Sequence, residues 1–205
     1  MISTSNKIDA PGALLHNIRR VVDLTAETEQ QLISILQTST IKKRQFIDQP
    51  GFISMYRNYV VKGAFRSFLM DAHGKEHTVH IAVEDWFASD FYSYVSATPA
   101  TLFVEALEDS IIIKMKHDDI EDLCKRNHII SEYFRITTEW AFAFSRKRAL
   151  SILSKKAEDR YVDFLTQYPG ISKRVPQKVI ASYLGITPEF LSKLRKDRSK
   201  NLNVD

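Results

Sequence analysis

Three hydrophobic periods follow one another along the chain. Residues 14–22 and 27–36 place apolar side chains three and four apart, as short amphipathic helices do. Thr25 is placed to cap the second, but its partner three residues on is Thr28, so the pair is not a full capping box. The first twelve residues are polar and expected to be loose. From 41 to 115 the pattern changes to short strand-like runs at 52–61, 63–70, 76–83, 101–106 and 110–115, separated by turn residues. Asp71-Ala72-His73-Gly74 reads as a hairpin tip, with Gly74 free to take a positive φ. Short antiparallel strands at this spacing predict a small sandwich or jelly roll. Trp86, Phe87, Phe91, Tyr92 and Tyr94 fall between strands and read as core or lid aromatics on a short helix.

The helical period then returns. Asp118-x-x-Glu121 has capping-box spacing and predicts a helix running to about 126. A longer helix is predicted over 128–153. Its Ile129, Tyr133, Ile136, Trp140, Ala143, Lys147 and Leu150 recur at alternating steps of four and three. Such a seam can pack on its own sheet or pair with a second copy. Ser154-Lys155-Lys156 reads as a hinge, and 157–168 as a helix stopped by Pro169-Gly170.

The segment 175–196, VPQKVIASYLGITPEFLSKLRK, carries the most specific pattern. Val179, Ile180 and Leu184 share a helical face, and Pro176 suits a first helical turn. Ala181 is small enough for a second helix to cross closely. Gly185 sits where the chain must turn. Thr187 reads as an N-cap, Pro188 as the first residue of the next helix, and Glu189 as an acid suited to its N-terminus. Leu191 and Leu194 should face inward, leaving Glu189, Ser192, Lys193 and Lys196 outward. This is a helix-turn-helix with a polar, basic second helix, the shape that enters a DNA major groove. The residues beyond Lys196 are polar and expected to fray.

Charge strengthens that picture. The 205-residue chain has 29 Lys/Arg and 25 Asp/Glu, and residues 155–205 hold 11 of the cations against 6 of the acids. Residues 1–154 hold 18 against 19, so the basic excess belongs to the end with the helix-turn-helix. A basic patch there would attract phosphates and make binding salt-dependent. Cys124 is the single cysteine, which excludes an intrachain disulfide and a thiolate cluster for zinc or iron–sulfur. The opening residues lack a basic start and an apolar run, and no stretch approaches a membrane span, so a cytoplasmic protein without signal peptide or membrane contact is expected.

Other chemistry is thinner. His73, His77 and His80 lie near Glu84, but His77 and His80 are three apart and should face opposite sides of a strand unless a bulge intervenes. The acidic run Asp118, Asp119, Glu121 and Asp122 fits a helix N-terminus better than hydrolysis. There is no Gly-rich phosphate loop and no nucleophile elbow. No catalytic residue, metal site or cofactor is predicted.

A strand-rich domain, long helix, hinge and C-terminal helix-turn-helix together resemble the Crp/Fnr family of bacterial transcription regulators. The resemblance runs from about Leu24 and is strongest at IASYLGITPEFLSKLRK. It implies an α+β fold with an N-terminal cyclic-nucleotide-binding-type β-roll (jelly roll) and flanking helices over 1–126. A long dimerisation helix and hinge follow over 127–154, then a C-terminal winged helix-turn-helix over 155–205. Any wing would come from 170–175. The implied partners are double-stranded DNA, a second copy through Tyr133, Ile136, Trp140 and Ala143, and RNA polymerase. By matching positions, Thr187, Glu189, Ser192 and Lys193 read base edges, and Lys173, Arg174, Lys178 and Lys196 hold phosphates. Pro188 stands where cyclic-AMP-responsive members carry arginine, so the operator should differ from theirs.

The resemblance also implies an effector pocket at Ser89, Thr101 and Ser145, with an unknown small molecule as its ligand. Ser89 replaces the family's ribose-binding glutamate, and Ala100 replaces its phosphate-binding arginine. Cyclic AMP is therefore not expected to bind. Two other readings stay open: a small-molecule sensor acting through protein contacts, and a jelly-roll metalloprotein using His77 and His80.

Overall fold

A computed structural model describes residues 8–201. Of the segments expected to be loose, 1–12 and those beyond Lys196, residues 1–7 and 202–205 lie outside the described residues, whereas Ala10–Gly12 already belong to the first helix, which Asp9 caps through Gly12 N. Helices α1 (Ala10–Arg19) and α2 (Ala26–Ile33) precede strands β1 (Gln37–Ile41), β2 (Phe46–Asp48), β3 (Tyr56–Lys62), β4 (Phe65–Met70) and β5 (Glu76–Ala82). Then come β6 (Phe87–Ala88), α3 (Phe91–Ser96), β7 (Phe103–Ala106), β8 (Ser110–Lys116), α4 (His117–Arg126), α5 (His128–Ser154) and α6 (Ala157–Gln167). The chain continues through α7 (Gln177–Leu184) and α8 (Pro188–Asn201).

The strands form two antiparallel four-stranded sheets, ordered β1-β8-β3-β6 and β2-β7-β4-β5. Period-two alternation decides which side chains fill which core. In β8, Ile112 faces the second sheet and joins Val60, Phe65, Ala82, Val104 and Ala106. Its neighbours Ile113 and Met115 face the other way, onto Leu14, Ile18, Leu32, Ile120, Ile130 and Tyr133 of the helices. Gly63 links β3 to β4 at φ 117°, and a Cβ there would stand 2.9 Å from the Cα of Ser110, so only glycine lets the hairpin close against β8. β1, β2 and β6 escaped the hydrophobic pattern, because each is short or polar: β1 reads Gln-Thr-Ser-Thr-Ile.

Several expectations need correction. Helix α4 begins at His117 with no side-chain cap, so Asp118 and Asp119 occupy its first turn and form no capping box. Helix α8 continues through Asn201, past the fraying expected after Lys196. A single 3-10 turn over Ile171–Lys173 fills the place allotted to a wing, and among the described residues no strand follows β8. Thr25 does cap α2, accepting from Thr28 N at 3.2 Å. The architecture is α+β: a β-roll, a long helix and a helix-turn-helix.

Candidate nucleic-acid interface

Helices α7 and α8 cross on a small apolar contact. Val179, Ile180, Ala181, Leu184 and Leu191 are all at most 4% exposed, and Ile186 and Leu194 close the edge. Gly185 caps α7 at φ 67°, letting the Ile186 N–H bond back to Ala181 O at 3.0 Å. Thr187 Oγ1 accepts from Phe190 N at 3.2 Å and starts α8. Thr187, Glu189, Ser192, Lys193 and Lys196 are exposed, as are Lys173 and Lys178. Arg198, which the sequence reading did not single out, adds an exposed cation to α8.

Arg174 sits differently from the other expected phosphate contacts. Its guanidinium donates to Glu84 at 2.7 and 3.0 Å and to Glu108 at 2.5 and 3.1 Å. Burial works to raise the Glu84 pKa, but hydrogen bonds from Arg174 and the Gly63 N–H outweigh it and hold the carboxyl below its usual range. The whole head rests on the roll. Ala64, Ile81 and Leu107 share one apolar cluster with Phe164, Tyr168, Val175 and Val179. Ser182 Oγ accepts from Thr78 N at 2.8 Å and donates to Glu76 O at 3.0 Å, covering the free edge of β5. Arg148 of α5 donates to Thr78 O and Tyr183 O at 3.1 and 2.8 Å. Arg148 lies off the heptad positions, beside Lys147, which alone breaks the apolar seam. A cation in a seam was the one available hint of this clamp.

The residues expected around an effector do not form a cavity together. Ser89 Oγ is spent on the carbonyls of Tyr56 and Ala88, at 2.9 and 2.7 Å. Thr101 and Ser145 are exposed on separate elements. Beside Ser89, Asp90 is 1% exposed and accepts from the N–H groups of Ser93, Thr101 and Leu102 at 3.2, 2.9 and 2.9 Å. Its own N–H donates to Asp48 at 2.8 Å. Burial pushes the Asp48 carboxyl up to about 6. Asp48 lines a cavity of about 310 Å³ between the sheets, walled by Ile41, Ile47, Ile53, Met55 and Ile112.

Of the expected dimer residues, Trp140 is 64% exposed, Ala143 is exposed and Ile136 is half-buried. Tyr133 is a correction: it is wholly buried in its own chain and donates to Asn17 Oδ1 at 2.8 Å, leaving no surface for a second copy. The histidines do meet a bulge, at Val79, where the register of β5 on β4 shifts. His77 nonetheless bonds Asp71, and His80 packs on Trp86. Among the described residues no three His, Cys, Asp or Glu side chains converge on a metal-sized point.

A β-roll, long helix and exposed helix-turn-helix define the architecture found in Crp/Fnr-type regulators. No family model matches the chain, and no curated protein matches it. Solved structures do. FixK2 from Bradyrhizobium japonicum matches at TM-score 0.68 and 19% identity, over 82% of this chain and 86% of that one. The c-di-GMP-responsive global regulator CLP of Xanthomonas campestris matches at 0.68 and 12%, over 86% and 93%. A Eubacterium rectale protein assigned to the Crp/Fnr family of transcriptional regulators matches at 0.65 and 17%, over 87% and 85%. At these identities the likeness establishes the fold.

Proposed function

We propose that this chain is a homodimeric transcription regulator of the Crp/Fnr type that reads DNA with α8 and does not respond to cyclic AMP. The observation that carries the reading is the outer face of α8. Glu189, Ser192 and Lys193 stand in solvent while Leu191 and Leu194 fix the helix on α7. A carboxylate at Glu189 can accept from cytosine N4, and the Lys193 ammonium can donate to guanine O6 and N7. Lys173, Lys178 and Lys196 supply phosphate contacts that set register. Two copies paired through Trp140, Ala143 and Leu150 would set the two α8 helices about 34 Å apart, one per successive major groove. RNA polymerase belongs to the same reading as a further partner.

Insensitivity to cyclic AMP follows from Asp90. A cyclic phosphate in this cassette needs N–H donors and a cation. Here a buried carboxylate already takes the N–H groups of Ser93, Thr101 and Leu102, and Ala100 offers no charge. A second anion beside Asp90 and Asp48 would be repelled.

Enrichment of bound duplexes from a random library tests the DNA reading, and no enrichment at low salt removes it. On the enriched site, Lys193→Ala is expected to cost about 1–3 kcal/mol and to relax one base pair. Equal weakening on all sequences would make Lys193 a phosphate contact. Calorimetry is expected to detect no cyclic-AMP binding, and a micromolar affinity would overturn that part.

A further inference from the structure

The helix-turn-helix is seated on the roll through one ion cluster at the rim of their shared apolar contact. Arg174 lies between the 3-10 turn and α7, so it moves with the head. Glu84 lies just beyond β5 and Glu108 between β7 and β8, so both move with the roll. The guanidinium uses Nε, Nη1 and Nη2 on these two carboxylates. A carboxylate and a phosphate offer arginine the same forked pair of acceptors. One cation against two anions also leaves the rim net negative, which opposes a DNA backbone.

We propose that Glu84 and Glu108 act as internal stand-ins for DNA phosphates, latching the head on the roll in a resting arrangement that must open before Arg174 serves DNA. This rests on the DNA reading above, and is separable from it by experiment. The remaining head-to-roll bonds are compatible with release. Ser182 and Tyr168 reach the roll only at backbone groups of the edge strand β5, at Glu76, Thr78 and Ile81, which water can satisfy once the head departs, and Arg148 of α5 joins the two sides only through the carbonyls of Thr78 and Tyr183. The phosphate mimicry belongs to Arg174 alone. Duplex DNA competes with the latch directly, so occupancy of the open form rises with any ligand that binds it better.

The test uses the full chain and a fluorescent 40-base-pair random-sequence duplex. Glu84→Gln with Glu108→Gln is compared with Asp23→Asn with Glu27→Gln, an equal charge change on exposed residues that make no bond to Arg174. The latch variant is expected to bind the duplex at least fivefold tighter than this control, and small-angle scattering without DNA is expected to show a larger radius of gyration. Equal affinities of the two variants, or a radius unchanged from the wild type, would overturn the latch. If no form binds the duplex at any salt, the DNA reading falls, and scattering still decides the latch. A swapped pair, Arg174→Glu with Glu84→Arg, puts a cation back between two carboxylates. It is expected to stay compact while binding the duplex more weakly than the wild type.

Discussion

The first half of α5 buries Ile130, Tyr133 and Phe134 inside its own chain, while the second half leaves Trp140, Phe142, Leu150 and Leu153 between 60% and 84% exposed. Both halves carry the same kind of apolar spacing. The difference lies in what is beside them. At 27 residues α5 is about 40 Å long; the roll with α1 and α4 buries its start, and farther along one side of the helix is anchored by Phe144 on Trp86 and Arg148 on Thr78 and Tyr183. Apolar spacing reports that a face wants covering, and topology decides whether the cover is the same chain. Several large apolar side chains left in solvent on one helix are the usual mark of a protein–protein contact.

The sharpest way to separate the halves is to cut each once. Tyr133→Ala should cost the fold about 3–5 kcal/mol, because it empties a fully buried site and strands Asn17. Urea unfolding reads the loss, and the dissociation constant of the proposed dimer should stay put. Trp140→Glu should do the reverse. It places a charge in the seam and should weaken association about 100-fold, or about 3 kcal/mol, with monomer stability little changed. Sedimentation equilibrium checks it. A dimer of wild-type affinity after Trp140→Glu would show that the exposed stripe is not the contact.

Legibility in the sequence follows the same division. The α7–α8 pair could be read to within a residue or two, since Gly185, Thr187 and Pro188 are local signals with local causes. Strands β3, β4, β5, β7 and β8 were legible as short strand-like runs bounded by turn residues. β1 and β6 were not: β1 is mostly polar and β6 has two residues, so pairing to β8 and β3 makes them strands. Tyr133 and Trp140 look alike in the heptad pattern and differ completely in burial. The Arg174 cluster was invisible for the same reason. Its partners lie 66 and 90 positions away.

Acid should loosen the second half of α5 at its anchor. His80 packs against Trp86 and near the Arg148 guanidinium, and burial with that positive neighbour lowers its pKa to about 4. Its folded pKa lies below the unfolded 6.5, so folding disfavours the proton. Stability is untouched at neutral pH and falls as pH drops from about 6.5 toward 4. Discounted for the ring's partial exposure, the loss by pH 4.5 is about 2 kcal/mol. His80→Phe should remove that component, read as the difference between the two proteins' urea midpoints across the range. Parallel curves would mean the ring is solvated in both states.

The smallest expected effect concerns the covered half. Arg57 is 7% exposed and reaches α5 through Thr138 Oγ1 at 3.2 Å and the Phe134 ring at 4.7 Å. Phe87 and Phe91 close the cage at 4.7 and 5.3 Å, Nε has no partner, and no carboxylate pairs with it among the described residues. Arg66, equally buried, is paired with both Glu105 and Glu76. A cation caged by rings gains about 0.5–2 kcal/mol per good contact, yet it bears the cost of leaving water without an anion to offset it. Methionine has similar reach and keeps the sulfur–aromatic contact. Arg57→Met should therefore shift stability by less than about 1 kcal/mol, on the stabilising side. A loss above about 2 kcal/mol in urea would show that the three rings and Thr138 outweigh the burial cost. The covered half of α5 would then be held by a charge as well as by its apolar face.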